Sequence, residues 1–248
     1  AAGRERIAAN LERAVAKGRL EPTVRVEILD RIAATDRIDA AAGADLVVEA
    51  IWEDEGAKRA LWADVDARAP GRAVFATNTS SISIDRLAGV LAPARRPAFC
   101  GMHFFSPVPV MPLVELIRGS ATDDVTTDAI RALAADLGKQ VIVSADRPGF
   151  IVNRILMPLL AEAMRALDEG IGTAEDIDTG ARVGLNHPMG PLALADFIGL
   201  DVVLGIMRVL HADLGDERFR PPRVLEDLVA AGKLGQKSGA GFFTYPRA

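Results

Sequence analysis

The chain has 248 residues, of which 50% are hydrophobic and 25% charged, and its formal net charge is −5. This globular composition excludes a disordered or fibrous protein. The positive charges form no block, which argues against nucleic-acid binding, because neutralising phosphates needs clustered Lys and Arg. The single cysteine, Cys100, excludes an intrachain disulfide and a cysteine-based zinc site. No run of 18 apolar, uncharged residues predicts a membrane span.

The predicted elements begin with two helices that form a hairpin over residues 4–33. Apolar residues recur at helical spacing on either side of a break at Gly18 and Pro22. Short apolar runs then alternate with helical stretches, which is typical of buried parallel strands in a doubly wound sheet. The predicted strands are 45–49, 73–77, 97–102, 113–117 and 141–143, and the helices between them are 54–68, 84–91 and 124–137.

The alternation stops at Asp146-Arg-Pro-Gly149, and the rest of the chain has helical spacing. Breakers at Gly170, Gly172, Pro188 and Gly215 separate the segments. The sequence therefore predicts an α/β domain over 1–145 and an all-α domain over 146–248. The helices predicted in the second domain are 150–169, 173–183, 191–214 and 222–231.

His103 and Glu115 are the first candidates for chemistry. His103 follows a predicted strand, at the carboxyl edge where α/β proteins bind ligands, and Glu115 lies inside the next apolar strand. A carboxylate in such a strand needs a partner. A Glu–His pair fixes the imidazole tautomer and makes the second ring nitrogen a general base. The alternative is a satisfied core histidine and a glutamate whose carboxylate reaches solvent.

Three further segments carry polar groups in suggestive places. Asn78 and Ser80 follow a predicted strand and can orient a ligand oxygen, or the same segment can cap the helix that begins at residue 84. Asn153 lies one turn into an apolar helix, so its amide bonds either a backbone group or a ligand. Lys237, in a glycine-rich tail, is a candidate phosphate contact. His187 belongs to a turn between helices and is not our catalytic candidate.

Taken together, these segments resemble the 3-hydroxyacyl-CoA dehydrogenase family, and within it the stand-alone 3-hydroxybutyryl-CoA dehydrogenases. The matching pieces follow one another in family order across almost the whole chain. They are Asp45-Leu-Val-Val-Glu-Ala-Ile51, Asn78-Thr-Ser-Ser81, Gly101-Met-His-Phe-Phe105 through Pro112-Leu-Val-Glu115, Pro148-Gly-Phe-Ile-Val-Asn-Arg154, Asn186-His-Pro-Met-Gly-Pro191 and Lys237-Ser-Gly-Ala-Gly-Phe242.

The resemblance implies a role for each site residue. His103 would be the general base that takes the 3-hydroxyl proton as hydride passes to NAD, with Glu115 as its orienting partner. Ser80 and Asn153 would hydrogen-bond substrate oxygens. On the cofactor side, the resemblance implies contacts from Glu49, Asn78, Ser80 and Lys237. A looser match places Asn10 and Lys17 of the helical hairpin against coenzyme A.

The chain departs from the family pattern in two places. Ser106 stands where the family usually has Asn, and serine reaches less far. The family also begins with a strand, a GxGxxG loop and a helix that hold the pyrophosphate, whereas this chain contains no GxGxxG and opens inside an amphipathic helix. We therefore expect an incomplete Rossmann-like doubly wound sheet, lacking its first βαβ unit, followed by a helical dimerisation domain.

The expected function is NAD-dependent oxidation of (S)-3-hydroxyacyl-CoA, specifically 3-hydroxybutyryl-CoA, to 3-oxoacyl-CoA. We expect a cytoplasmic homodimer that assembles through the C-terminal helices and uses no metal. Three alternatives stay open: a dehydrogenase of a free hydroxy acid such as a sugar acid, a catalytically silent protein of the same fold, and a piece of a multifunctional fatty-acid oxidation protein.

Overall fold

The structure, a computed structural model, describes residues 2–246. It begins with a hairpin of two helices, α1 (Ala2–Ala16) and α2 (Pro22–Asp30), which pack on each other. The turn between them contains Gly18, whose φ of +63° favours glycine. Neither helix has a buried residue, so the hairpin lies at the periphery of the fold.

A five-stranded sheet follows, with the strands in chain order from one edge to the other. Strands β1 to β3 are parallel, β4 runs antiparallel to β3, and β5 is parallel to β4. The expectation of parallel strands is wrong for β4, because the short 105–112 connection leaves no room for the crossover that parallel pairing requires. The strands are β1 (Leu46–Glu49), β2 (Val74–Thr77), β3 (Phe99–Phe104), β4 (Leu113–Arg118) and β5 (Gln140–Ala145).

Helices cover both faces of the sheet. On one face, α3 (Glu55–Asp66) and α4 (Ile84–Ala88) pack around Trp62, which stacks on Phe75 with 5.1 Å between ring centroids. On the other face, α5 (Asp124–Asp136) buries Ile130 with residues of β2, β3 and β4. Helices on both faces explain why the strands are continuous apolar runs.

The second part of the chain is helical and has a separate core. One helix predicted over 191–214 is two helices, because Gly199 has a φ of +104° that no helix continues through. The 173–183 prediction is likewise divided between α7 and a π-helical turn over Gly180–Gly184. The helices are α6 (Val152–Asp168), α7 (Ala174–Thr179), α8 (Pro191–Ile198), α9 (Leu200–Leu214) and α10 (Arg223–Ala230).

The strand register brings the candidate residues to one place. In the parallel half, Glu49, Thr77 and Gly101 lie side by side, so the loops that follow β1 and β2 and the end of β3 share one edge of the sheet. In the antiparallel pair, His103 lies directly opposite Glu115. The reversal of β4 thus places the glutamate beside the histidine. The fold class predicted from the sequence, an α/β part followed by a helical part, is confirmed.

Candidate active site

The centre of the site is the His103 imidazole, which is 5% exposed. Its Nδ1 lies 3.2 Å from Oε2 of Glu115, which is fully buried. A carboxylate can only accept hydrogen bonds, so this contact assigns the proton to Nδ1, which donates a hydrogen bond to Glu115 Oε2. Nε2 then bears a lone pair, which can accept a proton as a general base requires.

Glu115 has a second set of partners beyond the sheet. Its Oε1 accepts hydrogen bonds from the backbone N–H groups of Ile151 (2.6 Å) and Val152 (3.2 Å), at the start of α6. Negative charge is favourable at a helix N-terminus. The same carboxylate consequently joins the histidine of the sheet to the first helix of the helical part.

Ser80 and Asn153 complete a connected cluster around Nε2. Ser80 Oγ lies 3.1 Å from His103 Nε2, and the Asn153 amide donates to the Ser80 carbonyl over 3.4 Å. Of the two partners predicted for Asn153, the structure shows a backbone group. The alternative that the Thr77–Ser81 segment caps α4 is wrong, because Ser83 is the N-cap residue and accepts from Arg86 N.

Glu53 was missed in the sequence reasoning, and it holds the loop that carries Ser80. One of its oxygens accepts from Thr79 Oγ1 (2.5 Å) and from the N–H groups of Ser80 (2.9 Å) and Ser81 (3.1 Å). Burial raises the pKa of the Glu53 carboxyl, but the hydrogen bond from Thr79, the charge of Lys58 and the Ser80 N–H outweigh it, so the pKa lies below its ordinary value of 4.5. The sequence feature that could have identified Glu53 is its position, as an acidic residue just beyond the carboxyl end of a predicted strand.

Glu49, expected to contact the cofactor, lies at the same edge but is turned inward. Its Oε1 accepts from Lys58 Nζ (2.6 Å) and from Ile51 N, and its Oε2 accepts from Thr77 Oγ1 (2.6 Å). Its side chain has no exposed surface. Lys58, a second residue missed in the sequence, also lies 3.3 Å from Glu53. Glu49 thus binds Lys58 and Thr77 inside the protein at this edge of the sheet. Its contact with a cofactor stays a prediction.

The remaining candidates are separate from the His103 cluster or border it. Asn78 borders it: its Oδ1 accepts from Phe104 N over 2.8 Å, which ties the β2 loop to the end of β3. Lys237 pairs with Asp201 at the start of α9. In the hairpin, Asn10 accepts from Arg13, and Lys17 is exposed at the end of α1.

The tail that carries Lys237 is held on α8 by Asp196. This carboxylate accepts from the N–H groups of Phe242 (3.0 Å) and Phe243 (2.9 Å) and from the Tyr245 hydroxyl (3.0 Å). Burial raises the Asp196 pKa despite these hydrogen bonds. A Cβ at Gly241 would lie 1.9 Å from Asp196 Oδ1, so this close approach requires glycine.

The donors and acceptors at the sheet edge fit the nicotinamide half of a dinucleotide. Glu53 keeps 38% of its side chain exposed beside Ser80, and Asn78 and Ser80 add an amide and a hydroxyl. Carboxylate, amide and hydroxyl groups suit a ribose and a carboxamide. The pyrophosphate half has no GxGxxG loop in this sequence. Within residues 2–246 there is no cluster of metal-binding side chains, and none of the helices described has the length and apolar character needed to cross a bilayer.

Comparison with known proteins identifies the family of the chain. Residues 1–147 match the family model of the 3-hydroxyacyl-CoA dehydrogenase NAD-binding domain, and residues 149–245 match that of the C-terminal domain. A 3-hydroxybutyryl-CoA dehydrogenase of Bradyrhizobium diazoefficiens is 49% identical over 98% of this chain and 82% of its own length.

Two solved structures are also similar along the whole chain. The crystal structure of Mycobacterium tuberculosis FadB2 has a TM-score of 0.94 and 41% identity, covering 99% of this chain and 86% of that one. The (S)-3-hydroxybutyryl-CoA dehydrogenase PaaH1 of Ralstonia eutropha has a TM-score of 0.92 and 44% identity, covering 97% and 84%. This chain therefore belongs to the 3-hydroxyacyl-CoA dehydrogenase family of oxidoreductases, whose cofactor is NAD.

Proposed function

We propose that this protein interconverts (S)-3-hydroxyacyl-CoA and 3-oxoacyl-CoA with NAD, and that 3-hydroxybutyryl-CoA is its substrate. The observation that carries the proposal is the hydrogen-bonded line from Glu115 through His103 to Ser80, with distances of 3.2 and 3.1 Å. The named relatives that this chain resembles over 97–98% of its length act on the four-carbon substrate.

His103 is the base of the proposed reaction. Its Nε2 takes the proton of the substrate 3-hydroxyl, because Glu115 holds the other proton on Nδ1 and stabilises the imidazolium that forms. A neutral alcohol does not release hydride readily, since the carbonyl product forms only as the hydroxyl proton leaves. In the reverse direction, the His103 imidazolium returns this proton to the oxygen of the 3-oxo group.

Ser80 and Asn153 orient the substrate. Ser80 Oγ lies within hydrogen-bond distance of Nε2, so a substrate oxygen beside the base is also within reach of this hydroxyl. Asn153 approaches Ser80 from the helical part, so both parts of the chain contribute to the site. Binding between two structural units is common because their surfaces form a cleft.

Asn78, Ser80 and the exposed Glu53 carboxylate would hold the nicotinamide half of NAD, which supplies the hydride acceptor when bound. Lys237 stays a candidate contact to a cofactor phosphate, for which it would leave Asp201. Asn10 and Lys17 stay candidates for coenzyme A, since the exposed hairpin offers a surface for the nucleotide portion of that ligand. The cytoplasmic location stays a prediction.

A homodimer through the helical part belongs to the same proposal. Helix α6 exposes Ile155 and Leu159, four residues apart on one face, and the adjacent helices expose Phe197 and Val202. Large apolar side chains left exposed on helices are candidates for a subunit interface, because a partner surface would remove them from water. A second copy of this chain is the proposed partner.

The test is oxidation of NADH by acetoacetyl-CoA, followed by nicotinamide absorbance. It is run on the 248-residue chain and on the same chain extended by the strand, glycine loop and helix that the family resemblance implies. We expect turnover in the extended protein, with free acetoacetate a poor substrate. His103→Gln should lower kcat by about 10²–10⁴, as removal of a general base typically does.

His187→Gln is the matched control, because His187 lies outside the cluster, and it should keep full activity. Full turnover in His103→Gln would contradict the assignment of the base. A folded, extended protein that reduces free acetoacetate better than its CoA ester would favour a dehydrogenase of free acids. An extended protein that neither binds NADH nor turns over would favour the catalytically silent alternative.

A further inference from the structure

Phe150 has an unusual backbone at the junction between the sheet and the helical part. Its φ is +50°, and within residues 2–246 only Phe150 and Asn186 have a positive φ without being glycine. This left-handed conformation is strained for a phenylalanine and favours glycine. Gly149, just before it, has a φ of +78°, so the chain makes two consecutive left-handed steps.

These two steps determine where the next two N–H groups point. The segment turns at Arg147, whose carbonyl accepts from Phe150 N over 2.9 Å, and then enters α6. The first two N–H groups after Phe150 belong to Ile151 and Val152, and both donate to Glu115 Oε1. A right-handed or extended residue at position 150 would aim this pair elsewhere.

The Phe150 side chain explains why a phenylalanine is kept at a position that favours glycine. It is 5% exposed and packs in the apolar cluster that includes Phe99 and Ile117. Its ring also lies edge-on to the His103 imidazole, with 6.1 Å between centroids. Burial of the ring offsets the backbone strain, because apolar surface leaves water. One residue therefore touches the base and orients the partner of the base.

We propose that Phe150 is a positioning residue for His103: its left-handed backbone directs the Ile151 and Val152 N–H groups onto Glu115, which holds the imidazole with Nδ1 protonated. The expected change in kcat rests on the proposed function, whereas the expected change in the hydrogen bonds of Glu115 and His103 does not. Strain held by surrounding structure is a recognised feature of functional sites.

The test compares Phe150→Leu with Phe150→Ile. Both side chains are apolar and have the same number of atoms, but isoleucine branches at Cβ, and a β-branched residue resists a left-handed backbone. The first readout is NMR of ¹⁵N-labelled histidine rings in the 248-residue chain. The chain has three histidines, so substitution of His187 and His211 assigns the His103 signals.

We expect the Nδ1-bound proton of His103 to remain in Phe150→Leu and to be lost or shifted in Phe150→Ile. In the extended protein, Phe150→Ile should have a kcat about tenfold lower than Phe150→Leu, with little change in KM, because a misplaced base affects the chemical step. Phe219, which is buried and lacks a positive φ, is the control. The His103 signals of Phe219→Leu and Phe219→Ile should be the same.

Equal His103 spectra in the folded Leu and Ile variants of Phe150 would overturn the proposal. Should Phe150→Ile fail to fold, Phe150→Gly decides, because glycine permits the left-handed backbone and removes the ring. The proposal expects the Nδ1 proton to persist in Phe150→Gly, and its loss would overturn it. The spectra are read without turnover, so an inactive protein with the expected spectra would contradict the proposed function alone.

Discussion

At the scale of single residues, Lys58 shows how a buried charge supports the loop that carries Ser80. Its ammonium group has three protons and three acceptors: Glu49 at 2.6 Å, and Glu53 and the Ile51 carbonyl, each at 3.3 Å. The side chain is 1% exposed. A buried charge is tolerated when it is fully paired and hydrogen-bonded, so the network is stable only as a unit.

Replacing Lys58 with Met should therefore destabilise the protein by about 3–5 kcal/mol, because the buried Glu49 carboxylate would lose its cation. The free energy of unfolding, measured by urea denaturation, checks this. Lys233→Met, at an exposed position, is the matched control and should change stability by about 0.5 kcal/mol or less. Equal urea midpoints for Lys58→Met and Lys233→Met would show that the buried ion pair contributes no more to stability than a surface lysine does.

At the scale of elements, the loop that follows β2 depends on the charged form of Glu53. The carboxylate accepts from Thr79, Ser80 and Ser81 in this loop, and its pKa is lowered in the folded protein. A lowered pKa means that the unfolded chain binds the proton more tightly. The stability that Glu53 contributes is thus present above its ordinary value of 4.5 and is lost as pH falls through the lower, folded value.

We expect Glu53→Gln to be less stable than the parent protein at neutral pH and the difference to shrink as pH falls below 4.5. Thermal unfolding measured from about pH 3 to about pH 7 checks this, because the range extends to both sides of the ordinary carboxyl pKa of about 4. Glu27→Gln, at an exposed position of α2, is the matched control for the change from a carboxylate to an amide. A Glu53→Gln difference that stays constant over this range would contradict the linkage.

The elements also show where local pattern and tertiary context diverge. The apolar run over 191–214 has one helical period, but Gly199 carries a φ of +104° and divides it into α8 and α9. A Cβ at Gly199 would lie 3.0 Å from Lys237 Nζ, so the tail packs closely against this break. Hydrophobic periodicity does not reveal such a break, because the contact comes from a segment about forty residues further along the chain.

At the scale of the whole molecule, the exposed apolar face of the helical part predicts assembly. Ile155 is 66% exposed on a helix that buries other apolar residues, including Met157 and Leu160. Covering such a side chain with a second copy removes it from water. Burial of apolar surface stabilises the association by about 25 cal/mol per Å². The helical core would then continue across the interface.

Ile155→Asp should accordingly convert the dimer to a monomer, since a carboxylate at an apolar interface loses hydration without gaining a partner. Analytical ultracentrifugation checks this by measuring the mass of the sedimenting species. Val125→Asp is the matched control, because Val125 is also strongly exposed, at 77%, but lies on α5 beside the sheet. A parent protein that sediments as a monomer at micromolar concentration would refute the proposed dimer.

The sequence by itself determined the fold class and the candidate base. Apolar runs that alternate with helices predict a doubly wound sheet, because buried strands need helices on both faces of the sheet. His103 after one strand and Glu115 within the next were sufficient to suggest a pair, since a carboxylate in an apolar strand requires a partner.

Only the tertiary structure decided how that pair is held. The antiparallel direction of β4 sets Glu115 opposite His103, and the left-handed Phe150 brings the start of α6 to the same carboxylate. Glu53 and Lys58 were missed, and Glu49 is turned inward, because burial and ion pairing depend on distances between segments that no local pattern encodes. Hydrophobic periodicity reports which face of an element is buried, whereas a site is built from residues that meet only after the elements pack.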